Sequence, residues 1–212
     1  MVAATARIIS SVIGLLSLAS QINTDDPAQA AAAALVPELA ASVLSLSLRS
    51  DRRQSSKAPG GGISSGSVSL AQQIAGLIPD SDLAQAIRPL GSLLSRHFSK
   101  DTQYSAASSL QKIFRRGIAP TQPDHLGRLV KRLAKLVRDN ATAHVLLRDV
   151  ALGALASLSS SAADLCNAAM MVKAGAFDAL VQLLSPQCIA FLSPEYLRIV
   201  LLLLKDVVRV GN

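Results

Sequence analysis

The chain is 212 residues long, half of them apolar, with four phenylalanines, two tyrosines and no tryptophan. Alanine and leucine favour helices and the β-favouring aromatics are scarce, so the composition argues against a sheet-based fold. The formal charge of +7 is concentrated in residues 81–140, where eleven basic and four acidic side chains lie, and the rest of the chain nets to zero.

Residues 1–20 hold one basic residue, Arg7, in an apolar stretch with small residues at Ser17 and Ala19. Three readings stand: a secretory signal, a mitochondrial presequence, or a repeat helix with Ile9, Ile13 and Leu16 at helical spacing. A second helical block over 28–48 follows Asp26, a plausible N-cap, and Pro27, a first-turn proline. Pro37-Glu38 interrupts this block, and no run reaches the roughly 18 apolar residues that a membrane-spanning helix needs. The segment around Arg52-Arg53-Gln54-Ser55-Ser56 and Gly60-Gly61-Gly62 is polar and lacks apolar periodicity, so it is expected to be a disordered loop. Its Arg-Arg-Gln-Ser-Ser matches a short basic-directed phosphorylation pattern. These boundaries divide the chain into an N-terminal helical segment (1–49), a loop (50–68) and a helical-repeat domain (69–212).

From Ser69 onward the pattern predicts helices at 69–78, 82–97, 101–116, 123–139, 142–158, 163–173, 174–184 and 194–209, with a loop over 185–193. Short connections suit antiparallel neighbours. Gly175 supplies the positive φ that turns one helix into the next, and Ser193-Pro194-Glu195 combines a cap, a preset φ and an acid at the helix N-terminus. Within 123–139, Leu126, Leu129, Val130, Leu133, Leu136 and Val137 form an apolar stripe. Arg128, Lys131, Arg132, Lys135 and Arg138 take the opposite face.

The chain also aligns with itself. Ala106-Ala107-Ser108-Ser109-Leu110 matches Ala151-Leu152-Gly153-Ala154-Leu155, 45 residues on, and that matches Val200 to Leu204, 49 residues further. These intervals lie at or just above the ~40–47 residues of armadillo and HEAT repeats. The stretch from Val145 to Leu184 runs through an apolar helix, Asn167 to Lys173, then Ala174-Gly175-Ala176-Phe177-Asp178-Ala179-Leu180-Val181-Gln182-Leu183-Leu184. It closely resembles an armadillo repeat boundary; elsewhere the likeness is one of pattern.

That resemblance implies an all-α fold, a right-handed α-solenoid of armadillo/HEAT type, in which the third helix of each repeat lines a concave groove. Importin-α-like adaptors present a tryptophan and an asparagine there, four residues apart. The matching tryptophan positions are Ser108, Gly153 and Leu202, and the asparagine positions are Lys112, Ser157 and Asp206. The stacking residue is therefore missing, which argues against a receptor for basic nuclear-localisation peptides. Lys112, Arg115 and Arg116, with Ser157, Asp206 and Arg209 further along the groove, would instead receive an acidic or extended segment of a protein partner.

The expected job is thus a non-catalytic protein-interaction scaffold. Two alternatives stand beside it: a regulatory armadillo-like tail of a larger enzyme such as a protein kinase, and a peripheral binder of anionic membranes through the 123–139 basic face. Nucleic acid is disfavoured because aromatic platforms and reader motifs are absent from the sequence. The nearly all-round apolar helix 194–209 calls for a cover, either self-association or a longer array. His97, His125 and His144 sit outside any recognised catalytic or metal-binding motif, and Gly60-Gly61-Gly62 lacks the Lys-Ser/Thr of a phosphate loop. No catalytic residue, metal or cofactor is expected. Cys166 and Cys188 lack metal or redox spacing, which fits a reducing, cytoplasmic or nuclear setting.

Overall fold

The computed structural model describes residues 80–161 and 168–210, and side-chain surroundings up to Asp206. The expected segments 1–49 and 50–68, the helix at 69–78, Cys166 and the side chain of Arg209 lie outside the described residues. Every regular element among the described residues is a helix: α1 (Asp80–Leu93), α2 (Lys100–Arg115), α3 (Pro123–Asp139), α4 (Val145–Ser161), α5 (Ala168–Lys173), α6 (Ala176–Leu183), α7 (Pro186–Ile189) and α8 (Pro194–Val210).

Local chemistry sets several helix ends. Ser99 accepts the Thr102 N–H at 3.1 Å and starts α2. Gly175, at φ 75°, turns α5 into α6, since the left-handed region is open to a residue without a Cβ. Several boundaries differ from expectation, α4 among them in ending at Ser161 rather than 158. α1 stops at Leu93 rather than near 97, because the chain tightens there: the Ser95 N–H bonds the Ser92 carbonyl at 3.2 Å and the Phe98 N–H bonds that of Ser95 at 3.1 Å. α4 starts at Val145 instead of 142, because the buried Asn140 closes α3 by donating its side-chain amide to the Leu136 carbonyl at 2.7 Å. The expected loop 185–193 contains α7, opened by Ser185-Pro186, and its one turn buries Cys188.

The helices pack in two rows. α2 lies against α4, and α4 against α8; alongside them, α1 touches α3 and α3 packs on α6. Chain neighbours α1–α2 and α3–α4 pair across the rows, and α5 bridges α6 and α8. The apolar stripe of α3 is buried in full, at Leu126, Leu129, Val130, Leu133, Leu136 and Val137. Two of the five internally aligned positions are buried in all three helices, Ala106/Ala151/Val200 and Ser109/Ala154/Leu203. Ala107, Leu110, Leu152 and Leu155 are buried too, but their counterparts Leu201 and Leu204 on α8 are exposed and half-buried. At ~0.8 kcal/mol per buried CH₂, these side chains are what hold the α2–α4–α8 row together.

Candidate functional site

α2 and α4 bound an open groove of about 450 Å³, lined by Phe114, Arg115 and Gly117 on one side and Ala156, Ser157, Ser160 and Ser161 on the other. Arg115 is exposed at its edge. The groove is therefore hydroxyl-rich with a single lining cation. Ser157 donates its hydroxyl back to the Gly153 carbonyl at 2.8 Å, so its oxygen keeps acceptor capacity toward the groove. Gly153 is buried because the Gln111 side chain crosses from α2 over its Cα; any Cβ there would collide with that amide.

Of the residues expected to form a basic groove, the structure brings Arg115 and Ser157 together. Lys112 is half-buried, one turn before Arg116. Arg116 turns to α1 and forms an ion pair with Asp80 at 3.0 Å. Asp206 is exposed on α8 and contributes no lining atom to the α2–α4 groove. Of the three cations at 112–116, only Arg115 lines the groove; Arg116 is drawn off to Asp80 on α1, and Lys112 contributes no lining atom.

On the basic face of α3, Arg128, Lys131, Arg132 and Arg138 are exposed and Lys135 is half-buried, and Arg138 lies 3.5 Å from the neighbouring carboxylate of Asp139. Arg132 reaches across to α1 and donates from Nη1 to the Gly91 carbonyl at 2.7 Å. Gly91 lies in the last turn of α1, where carbonyls lack an intrahelical donor, so Arg132 acts as a C-terminal cap supplied by a neighbouring helix. No helix among the described residues is long and apolar enough to cross a membrane.

Sequence reasoning passes over Arg148. It lies on α4 and is fully buried, with 0% of its side chain exposed. Nε donates to Asp149 Oδ1 at 2.8 Å, Nη1 to the Ala141 carbonyl at 2.8 Å, and Nη2 to the Phe191 carbonyl at 2.8 Å. One guanidinium thus ties the α3–α4 connection and the α7–α8 connection to α4. Burial pushes the Asp149 carboxyl above its usual 3.8, and the hydrogen bond and charge of Arg148 pull it part of the way back. The signal in the sequence is a lone Arg-Asp pair inside an otherwise apolar helix.

His97 and His144 are exposed and His125 is half-buried. Among the described residues no group of three or more histidine, cysteine, aspartate or glutamate side chains is arranged to hold a metal ion.

No family model matches the chain, and no curated protein matches it. Among solved structures, a crystal structure of an engineered protein, a Northeast Structural Genomics Consortium target, is similar at 16% identity and a TM-score of 0.42, covering 95% of this chain and 88% of that one. Superposition at that level carries no argument about fold or function.

Proposed function

We propose that the chain is an armadillo/HEAT-like α-solenoid that works as a non-catalytic scaffold, holding an extended acidic segment of a protein partner along the α2–α4–α8 row. The observation that carries this reading is the packing of α2 on α4 and of α4 on α8, with the aligned positions 106/151/200 and 109/154/203 buried in all three, beside an open groove between α2 and α4. Such a groove distributes affinity over several shallow contacts instead of one enclosed pocket. Arg115 at its edge supplies charge, and the hydroxyls of Ser157, Ser160 and Ser161 supply sequence-tolerant hydrogen bonds.

The test is fluorescence anisotropy with labelled Glu/Asp-rich peptides and their Gln/Asn counterparts. Wild type and Arg115→Glu are compared after circular dichroism has shown equal helicity. Salt-sensitive binding of the acidic peptides, lost in Arg115→Glu, supports the groove. Equal binding of both peptide sets, or indifference to Arg115, sinks it.

A second reading is favoured by one observation. Leu201 and Leu202 on α8 are about half exposed (51% and 48%), which suits a row that continues into a further repeat or a second copy. Sedimentation of wild type against Leu201→Ser/Leu202→Ser tests the second copy: concentration-dependent association in wild type alone would support it.

A further inference from the structure

The other row of helices carries a separate cleft. α1 and α3 enclose an open cavity of about 430 Å³, roofed by the connection 119–122. From α1 it is lined at positions 84, 87, 88, 91 and 92, and from α3 at 125, 128, 129 and 132. Both sets follow the spacing of one helical face, so two facing stripes build the cleft. Its floor is apolar, with Ile87 and Leu129 each 5% exposed, and its rim carries Arg88, Arg128 and Arg132. Among the described residues no carboxylate side chain lines it, and none pairs with these three arginines.

Two of the three guanidinium groups are held before any ligand arrives. Arg132 is fixed by its 2.7 Å bond to the Gly91 carbonyl and Arg128 by a 3.2 Å bond from Nε to the Asp124 carbonyl. Gly91 leaves room for this approach: a Cβ there would stand 3.2 Å from Leu129 Cδ1, tight enough that the Leu129 side chain would have to shift by a few tenths of an ångström. Each arginine spends one of its five N–H donors on the backbone, so most of the fork remains to receive an anion. Pre-set donors lower the ordering cost of binding.

We infer that this cleft is a binding site for a phosphorylated serine or threonine in an extended protein segment. A phosphate carries close to two charges and three acceptor oxygens, which suits three guanidinium groups better than a single carboxylate does. The volume is near the lower end of the roughly 300–1,000 Å³ of ligand pockets, enough for a phosphorylated side chain and a neighbour, while the apolar floor takes the neighbour. A lipid surface is too flat to reach that floor, and a nucleic acid would find no aromatic side chain beyond the His125 ring to stack on. The site is independent of the α2–α4 groove.

The experiment uses the whole chain and three matched peptide libraries, degenerate except for a fixed central phosphoserine, serine or glutamate, read by fluorescence anisotropy. Phosphatidylserine vesicles are run alongside. The variant is Arg88→Gln/Arg128→Gln, since both side chains are exposed and neither caps another helix; Lys131→Gln, an exposed cation on α3 that lines neither cavity, is the control. The expected result is preference for the phosphoserine library, weakened about tenfold or more in the double variant, as loss of charge-assisted hydrogen bonds requires, and unchanged in Lys131→Gln. Equal binding of the serine library, no binding of any library, or phosphopeptide binding that survives the double variant overturns the inference. Vesicle binding that depends on Arg88 and Arg128 without phosphopeptide binding overturns it in favour of lipid.

Discussion

Arg148 shows what a single side chain can hold. Its guanidinium closes two connections against α4, so its loss would strand the carbonyls of Ala141 and Phe191 and the carboxylate of Asp149 in a dry environment. Breaking a buried pair by removing one partner costs about 3–5 kcal/mol. Arg148→Met is therefore expected to lower the denaturant midpoint by a corresponding amount, and a loss well under about 1 kcal/mol would show that the clamp is not structural. The pH dependence has a definite sign. The folded-state value of Asp149 is raised, so the folded chain binds that proton more tightly than the unfolded one. Its contribution to stability is full below pH 3.8 and declines as pH climbs through the raised value. Stability curves of wild type and Asp149→Asn should diverge in that window, with the wild type losing more on the way up. Gly175 makes the complementary case. Its φ is 75° and a methyl group on its Cα would meet no neighbouring atom within 4 Å. The cost of Gly175→Ala is therefore conformational alone, about 1–2 kcal/mol. A thermal melt unchanged by that substitution would contradict the left-handed turn between α5 and α6.

Between elements, the closest packing joins α2 and α4, where Leu110 and Leu155 are both fully buried. Truncating either to alanine should cost about 2–5 kcal/mol, measured by urea unfolding, because helices pinned on both sides collapse poorly around a void. These positions are readable from the sequence, since the self-alignment of 106–110 with 151–155 puts leucines and alanines in register. The stripe of α3 is readable for the same reason: six apolar residues at helical spacing can meet only one demand. The cationic faces are not. Periodicity says which side of a helix avoids the core, but not which neighbouring helix stands at the edge of that side. Arg132 therefore reads as a solvated charge, although it caps α1, and Arg88 gains meaning only where α1 and α3 lie together. Arg116 reads as a groove residue for the same reason, because nothing in the sequence sets Asp80 beside it. The buried Arg148 is hidden because burial of a charge depends on carbonyls 7 and 43 residues away.

At the scale of the described helices taken together, the two-row packing makes stability a matter of neighbours. α4 is flanked by α2, α3 and α8 and holds the Arg148 clamp, whereas α1 meets chiefly α2, with a lighter contact to α3. In a stacked array each unit is held by those beside it, so central helices open only when their neighbours do. Native-state hydrogen exchange should then show a gradient. Amides in the middle of α4, around Leu152 and Leu155, should exchange at the cost of global unfolding, and those of α1 at a smaller cost through local opening. Arg132→Ala, which removes the cap on Gly91, should speed exchange in the last turn of α1 and leave the α4 amides unchanged. If α1 and α4 instead exchanged at one common rate, and Arg132→Ala altered both equally, the described helices would form a single cooperative core. The stacked-repeat reading, and the groove that follows from it, would then lose their mechanical basis.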